Sequence, residues 1–346
     1  MSGIKMSKKP FYIIFTSFLV AAALAGAAVY YALYFPHFKP EKIEYVYISE
    51  ENRDFNVLCS DLQNAGCKNI RFFKLLAEIR KYPKNMKPGR YAVKPEMNAN
   101  TLLNHLRRGQ QTPVKLTFNN VRLVSDLAKR LSEQLMVSGE ELLLLTSDEA
   151  YCNSLGFNTA TIKAMFIPNT YEIYWNIPAK KLMERMKQEY DSFWTKERRG
   201  KAEKIGLTAV EVSILASIVE EETALTDEYS VIAGLYVNRL RKGMPLQADP
   251  AVKYAVGDFT LRRILNVHLQ TDSPYNTYMY EGLPPGPIRI SSPESIDAVL
   301  NHARHNYLYM CAKEDFSGRH NFATTVREHN INADKYRAEL NRRGIK

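Results

Sequence analysis

The pattern of apolar and polar positions divides the chain into one long apolar segment and a longer remainder of short, periodic apolar runs. The apolar segment runs from Phe11 to Phe35 and has 25 positions without a charged side chain. A helix that crosses a bilayer needs about 20 such residues, whereas the apolar part of a cleavable signal peptide needs only about 7 to 15. The pattern therefore predicts an uncleaved transmembrane anchor over residues 11–35.

The residues that flank this segment predict its orientation. Lysines at positions 5, 8 and 9 precede it, and positive charge favours the cytoplasmic side, so residues 1–10 form a cytoplasmic tail. The far end carries aromatic residues typical of a membrane interface, namely Tyr30, Tyr31 and Tyr34. A signal peptide cleaved within Ala21–Ala28 is the alternative. We expect everything after His37 to lie outside the cytoplasm.

The next part of the chain predicts a small β-α-α-β unit. Glu44–Ile48 alternates like a strand, and Asp54 is a suitable N-cap for a helix that ends near Asn64. Asn69–Lys81 has the period of a second helix, and Arg90–Val93 follows a Lys-Pro-Gly turn as a second strand. We place this module at residues 41–112.

The remainder, residues 113–346, predicts a mixed α+β domain with helices packed on a small sheet. Val114–Phe118 reads as a strand, and Ser125–Leu135 and Gly139–Leu145 read as helices. A long, charged helix is predicted from Ala179 to about Arg199, exposed on one face.

One later helix, Ala209 to about Thr223, carries the residues of greatest chemical interest. Thr208 and Glu211 form a capping box at its start. Large apolar side chains cover more than half of its circumference, which predicts a mostly buried helix. A separate line of small residues ends in one carboxylate and leaves room for something else to approach: Ala209, Ser213, Ala216 and Glu220.

The helix ends in three consecutive carboxylates, Glu220, Glu221 and Glu222. The negative end of the helix dipole, mutual repulsion and burial all raise the pKa of a glutamate. A glutamate that stays protonated near neutral pH can act as the general acid that cleaves a glycosidic bond. The alternative from this segment alone is a solvated acidic helix end.

The overall charge and the cysteines narrow the classes of partner and site. The formal charge is +10, which suits an anionic polymer or lipid. Basic residues are spread along the chain and form no nucleic-acid-binding motif, so we predict no nucleic-acid partner. Cys59 and Cys67 could form a disulfide or remain free, and the cysteine spacing predicts no metal site.

Several motifs in a fixed order resemble the MltG (YceG-like) family of endolytic transglycosylases. The first is Ala216–Thr223, and the resemblance extends forward to Lys87–Tyr91 and Pro168–Tyr171. The later motifs follow in family order: Val237–Leu240, Gly243–Pro250, Ser273–Tyr278, Gly282–Ile288, Asn306–Tyr309, His320–Phe322 and Glu328–Asn330. The resemblance covers nearly the whole chain.

The resemblance implies a single membrane anchor, a LysM-like module at 41–112 and a YceG-like catalytic domain at 113–346. By motif match its catalytic residue is Glu220, with Glu222 as the second family glutamate in reserve. Family members often have lysine where this chain has Glu221. The implied site also contains substrate-binding residues Gln247, Asp249, Tyr275, Asn276, Thr277, Tyr278, His320 and Phe322, with support from Glu222, Glu328 and Asn330.

The implied reaction needs one glutamate and no metal or cofactor. The acid protonates the oxygen between N-acetylmuramic acid and N-acetylglucosamine in peptidoglycan, and the resulting carboxylate takes the proton of the C6 hydroxyl as it attacks C1 of the same ring. The product is a 1,6-anhydro end, and the cut would terminate growing strands at the outer face of the cell (inner) membrane. Peptidoglycan synthases are the partners that the family implies.

Two other functions remain open at this point. A lysozyme-type hydrolase would need a second carboxylate, for which Asp249 is the candidate. A peptidoglycan-binding scaffold for cell-wall synthases, without catalysis, would use the same anchor and module.

Overall fold

The fold is known from a computed structural model, which describes residues 9–119, 121–261 and 263–344. The chain forms two compact units. The first contains the chain up to Val114 together with Glu172–Asn176, and the second contains Lys115–Tyr171 and the chain from Ile177 onward. The predicted division of residues 41–346 into a LysM-like module and a catalytic domain stays a prediction.

The first unit contains the apolar helix and the β-α-α-β arrangement. Its elements are α1 (Lys9–Tyr34), β1 (Glu44–Ile48), α2 (Phe55–Asn64), α3 (Ile70–Ile79), β2 (Gly89–Val93) and α4 (Ala99–Arg108). Strands β1 and β2 are antiparallel, with Glu44 opposite Val93 and Ile48 opposite Gly89. Asp54 caps α2 by accepting a hydrogen bond from the Asn56 backbone N–H at 2.6 Å. The strands and helices predicted from local sequence patterns, including the Asp54 cap, are thus present.

Helix α1 is long and apolar enough over Tyr12–Tyr34 to cross a membrane, and its described side chains are mostly exposed. These properties are compatible with a single-pass anchor. Cys59 and Cys67 lie in the buried core of this unit as free thiols.

From Val114 onward the chain is mixed α+β, as predicted. Its elements are β3 (Val114–Phe118), α5 (Val124–Gln134), α6 (Gly139–Ser147), α7 (Glu149–Ser154), β4 (Asn169–Ile173), α8 (Ala179–Phe193), α9 (Lys196–Lys204), α10 (Ala209–Glu222), α11 (Tyr229–Arg241), α12 (Asp249–Val256), α13 (Asn266–Leu269), α14 (Pro293–Leu300), β5 (Tyr309–Ala312), β6 (His320–Ala323) and α15 (Val326–Arg342). In the described chain, β3 pairs with β4, and β5 pairs antiparallel with β6. The strands thus form separate two-stranded ladders rather than the single small sheet that we expected.

The long charged helix predicted from Ala179 to Arg199 is wrong, because the chain forms two helices there. Helix α8 ends at Phe193, and Thr195 caps α9 by accepting a hydrogen bond from the Arg198 backbone N–H at 3.3 Å. An N-cap residue has extended backbone angles and interrupts a continuous helix. A threonine within a charged, helix-favouring run was the sequence signal for this break.

Helix α10 is the buried centre of the second unit. Its predicted capping box is present: the Glu211 N–H donates to the Thr208 hydroxyl at 3.2 Å, and the Thr208 N–H donates to the Glu211 carboxylate at 2.7 Å. The residues from Val212 to Glu220 are all buried, and α10 packs against α11, α12 and α14. The helix therefore presents its C-terminal carboxylates from a rigid support.

Candidate active site

The three glutamates at the end of α10 point into three different surroundings. Successive side chains on a helix are about 100° apart, so the three carboxylates leave the helix in different directions. The helix packs against other elements, and Arg289 lies near both Glu220 and Glu221.

Glu220 is held by the start of α14. The residue is 7 % exposed, and Oε2 accepts hydrogen bonds from the Ser292 backbone N–H at 2.8 Å and the Ser295 hydroxyl at 3.0 Å. Nη2 of Arg289 lies 3.8 Å from Oε1. The Glu220 carboxylate is therefore engaged by donors from the segment 289–295.

Small side chains on α10, in the predicted line and at Ser217 beside it, explain this arrangement. The Ser291 hydroxyl donates to the Ser213 carbonyl at 2.8 Å, and the Ile288 backbone N–H donates to the Ser217 hydroxyl at 3.0 Å. The space beside the small residues is therefore occupied by the protein's own segment 288–295.

Glu221 is an ion-pair partner rather than an exposed charge. Arg122 donates to both of its carboxylate oxygens, at 2.9 and 2.7 Å, and Nη1 of Arg289 lies 3.0 Å from Oε1. The side chain also lines a cavity of about 450 Å³ beside α5. Arg122 and Arg289 thus compensate the negative charge of Glu221, the position at which the family resemblance implies a lysine.

Glu222 faces a separate cavity of about 230 Å³. Its Oε1 lies 2.5 Å from the Tyr236 hydroxyl. Burial, and after it the negative charge of Asp249, raise the pKa of Glu222 to about 7, while the Tyr236 hydrogen bond and the cations Lys253 and Arg239 oppose the rise. Glu222 is therefore a carboxyl group whose pKa is raised towards neutral pH and that lines a cavity.

Four of the predicted substrate-binding residues line this same cavity: Gln247, Asp249, Tyr278 and His320. The Tyr278 hydroxyl donates to Asp249 Oδ1 at 2.7 Å, and burial with the nearby Asp249 charge raises the pKa of Tyr278. The structure thus brings together side chains from the loop before α12, the loop after α13 and strand β6 around Glu222.

The His320 ring is oriented by a buried carboxylate. Glu228 accepts from the His320 backbone N–H at 3.0 Å, and its other oxygen lies 2.9 Å from His320 Nδ1. Because Nδ1 is engaged by Glu228, Nε2 is the ring nitrogen that is left for other partners. Glu228 is 92 positions away from His320.

The remaining predicted site residues lie elsewhere. The Asn276 amide holds the carbonyls of Leu269 and Thr271, and the Thr277 hydroxyl accepts from the Ala248 N–H at 3.0 Å. Glu328 caps α15. Tyr275 packs against Tyr254, and Phe322 packs against Tyr307. Asn330 is exposed on α15. Their direct substrate contacts stay predictions.

No group of three or more histidines, cysteines or acids that could hold a metal ion occurs in the part of the chain that the structure describes.

The arrangement of motifs around α10 is matched by a family model. The model of the YceG-like family matches residues 46–335. The chain belongs to the YceG-like family. It is 28 % identical to the endolytic murein transglycosylase of Bacillus subtilis (strain 168) over 270 residues, 73 % of this chain and 74 % of that protein.

Other relatives of this YceG-like chain cover more of its sequence. It is 26 % identical to the endolytic murein transglycosylase of Streptococcus pneumoniae (strain ATCC BAA-255 / R6) over 94 % of its length, but spans only 65 % of that protein. The crystal structure of a YceG-like protein from Listeria monocytogenes matches 84 % of the chain and 99 % of its own, with a TM-score of 0.56 and 25 % identity. This YceG-like fold thus extends over most of both chains.

Sequence reasoning missed two polar residues that line the Glu222 cavity, and it missed Glu228, which contacts His320. Tyr236 and Arg239 lie on α11, and Glu228 precedes that helix. Arg239 falls within a motif that carried the family resemblance, but nothing in the motif indicated which carbonyls it holds. Glu228 had no signal, because its partner His320 is distant in the sequence.

Proposed function

We propose that this YceG-like chain is a membrane-anchored lytic transglycosylase that cleaves peptidoglycan glycan strands, and that Glu222 is its general acid and base. The observation that carries the proposal is that Glu222, of the three glutamates, combines a pKa raised to about 7 with an open cavity lined by predicted substrate-binding residues. The relatives named endolytic murein transglycosylases support the substrate class.

The proposed reaction uses the same carboxyl group twice. Protonated Glu222 donates its proton to the oxygen that links N-acetylmuramic acid to N-acetylglucosamine, and the C1–O bond breaks. The Glu222 carboxylate then accepts the proton of the C6 hydroxyl as that oxygen bonds to C1 of the same ring. The acid is regenerated, water is not consumed, and the high effective concentration within one ring favours this attack.

The neighbours of Glu222 support both halves of this cycle. Burial, with the Asp249 charge after it, raises the pKa of Glu222 before the reaction, and the Asp249 charge would stabilise positive charge that develops at C1. The Tyr236 hydroxyl lies at hydrogen-bond distance from Oε1 and fixes the direction of the carboxyl group.

Glu220 was the first choice by motif match, and Glu222 the reserve. The contacts support the reserve choice, because Glu220 already accepts two hydrogen bonds from the start of α14.

The wider organisation is also a proposal. Residues 11–35 would anchor the chain in the cell (inner) membrane with residues 1–10 in the cytoplasm, the LysM-like module at 41–112 would bind glycan, and the domain at 113–346 would cut strands and terminate their elongation. The apolar helix α1 supports the anchor. Synthase partners would follow from cutting nascent strands near the membrane.

The decisive experiment is digestion of purified peptidoglycan by the full-length chain in detergent, beside Glu222→Gln, with products identified by mass spectrometry. Anhydro-ended fragments that disappear with the variant are the expected result. A wild-type chain that yields no fragments, under conditions in which a known lytic transglycosylase cuts the same sample, would overturn the proposal.

Hydrolysis is the second candidate, because Asp249 supplies another carboxylate in the same cavity. A hydrolase would leave reducing ends in the same digest, and Asp249→Asn would abolish them. The non-catalytic scaffold is not favoured, because binding alone has no need of a carboxyl group held protonated in a cavity.

A further inference from the structure

We infer that Gln247 recognises the N-acetyl group of the sugar bound beside Glu222, and so makes the proposed enzyme selective for N-acetylated over N-deacetylated glycan. The inference rests on the proposed substrate class and adds the residue that reads one chemical group of it.

The buried guanidinium of Arg239 donates hydrogen bonds to three successive residues. Its Nη1 donates to the Pro245 carbonyl at 2.9 Å, the Leu246 carbonyl at 3.0 Å and Gln247 Oε1 at 3.0 Å. Its Nε donates to the Leu308 carbonyl at 2.6 Å. The guanidinium is thereby fixed in place and fixes the loop before α12.

This contact determines which way the Gln247 amide faces. Arginine has donors and no acceptor, so the amide atom that it touches must be the oxygen. The Gln247 NH₂ group therefore points away from Arg239. The side chain is exposed on the cavity that contains Glu222, and the structure describes no protein partner for this NH₂ group. Gln247 thus offers two N–H donors to a ligand.

The backbone of Gln247 is held in a conformation that costs energy. Its φ is +53°, in the left-handed region, and its N–H donates to the Thr277 carbonyl at 2.9 Å. A non-glycine residue in this region is strained, and such residues concentrate at binding sites. The strain maintains an amide that is already oriented before a ligand arrives.

The other walls of the cavity match the rest of an acetamido group. Leu246, Met310 and Ala312 provide apolar surface for a methyl group, and the Asp249 carboxylate is an acceptor for an amide N–H. A carbonyl oxygen would accept from the Gln247 NH₂ group.

The charges in the cavity favour a neutral ligand group over an anionic one. A lactyl or peptide carboxylate could also accept from Gln247, but it would enter a cavity that contains the Asp249 carboxylate, and the Arg239 guanidinium there already binds four protein oxygens. An acetamido group supplies a carbonyl oxygen, a methyl group and an N–H without adding negative charge.

The test compares glycan strands with the same strands after chemical N-deacetylation, cut by the full-length chain in detergent. We expect the wild-type chain to cut the acetylated strands about 10- to 100-fold faster, because a lost partner leaves a desolvated polar group. Gln247→Glu keeps an oxygen for Arg239 but replaces the donors by a carboxylate, which repels the acetyl oxygen and attracts an ammonium group. Its preference should therefore fall to parity or reverse.

Two further variants control for folding and for charge. Gln247→Met has similar size and no donor, so it should lose activity on acetylated strands without gaining any on deacetylated ones. Gln188→Glu makes the same change on the exposed face of α8 and should keep the wild-type preference. A Gln247→Glu chain that retains the wild-type preference would overturn the inference.

A binding measurement separates this inference from the proposed reaction. Calorimetry with the Glu222→Gln chain should show tighter binding of an N-acetylglucosamine tetramer than of a glucosamine tetramer, and adding Gln247→Glu should remove the difference. If the wild-type chain cuts nothing but this preference is seen, the proposed reaction fails and the role of Gln247 stands. Equal binding of the two tetramers would refute the role of Gln247 whatever the catalytic result.

Discussion

Glu220 and Glu222 are two residues apart on the same helix end, yet their carboxylates have opposite surroundings. Glu220 accepts hydrogen bonds from a backbone N–H and a hydroxyl, with an arginine nearby. Glu222 has one tyrosine hydroxyl, a neighbouring negative charge and a cavity. The first carboxylate is engaged by several donors of the protein, whereas the surroundings of the second raise its pKa.

This difference shows that position near a helix terminus does not by itself make a carboxyl group an acid. Both side chains experience the same negative end of the α10 dipole. The elements packed against each one differ: the N-terminus of α14 provides donors to Glu220, whereas α11 and the loop before α12 provide few to Glu222. Four sets of substitutions test how these different surroundings affect catalysis, stability and pH dependence.

The largest effect should come from removing each carboxyl group in turn. Glu222→Gln cannot donate or accept the catalytic proton, so we expect kcat to fall about 10²- to 10⁴-fold. Glu220→Gln, tested at a temperature where it remains folded, should stay within about tenfold of the wild-type chain, since it acts only through packing. Equal losses of kcat in the two variants, measured on the same peptidoglycan, would show that the different surroundings of Glu220 and Glu222 do not determine which of them is the acid.

The second effect concerns stability and pH at Glu222. An unfolded glutamate titrates near 4.5, whereas the pKa of folded Glu222 is about 7, so the unfolding free energy should fall as pH rises through this window. Glu222→Gln lacks this loss and should be more stable than the wild-type chain at pH 8, by up to about 3 kcal/mol. Denaturant unfolding at pH 4.5 and pH 8 measures it. An equal difference at both pH values would contradict the raised pKa.

The third effect is a loss of stability at Glu220. A glutamine there would retain one acceptor oxygen and would place an NH₂ group against donors from α14. We expect Glu220→Gln to lower the unfolding free energy by about 1–3 kcal/mol. Denaturant unfolding beside Glu211→Gln, which weakens only the capping box at the other end of α10, tests this; no loss at Glu220 would mean that its contacts are dispensable.

The smallest effect is a shift of the pH profile by the neighbours of Glu222. The Asp249 charge raises the pKa of Glu222 and the Tyr236 hydrogen bond lowers it. Because the acid must be protonated, activity falls as pH rises through this pKa. Asp249→Asn should move the alkaline limb of kcat/KM to lower pH, and Tyr236→Phe should move it to higher pH. Shifts in the same direction would rule out Glu222 as the group that sets this limb.

Local sequence signals predicted the elements of this comparison but not its outcome. The capping residues Thr208 and Glu211 lie three positions apart, so α10 and its bounds followed from nearby residues. Which glutamate faces the cavity depends on Ser292, Asp249 and other residues far along the chain. A motif fixes a residue's place in the sequence, whereas its protonation depends on neighbours that only folding brings together.

The small residues of α10 carried a related ambiguity. They predicted that something approaches the helix at Ser213 and Ala216, and periodicity cannot distinguish a substrate from another part of the chain. The approaching segment is the one that contains Ser291. Four of the predicted site residues nevertheless reached the Glu222 cavity, because the family motifs retain residues that meet in space.

The bond between Glu220 and the Ser292 N–H also has a kinetic consequence. It joins residues 72 positions apart and therefore closes a long loop, whose ordering is slow compared with the growth of α10 itself. The cavity residues Gln247, Asp249 and Tyr278 lie within that loop. Amide hydrogen exchange at Ser292 would consequently report the late closure of the whole region and not the local formation of the helix.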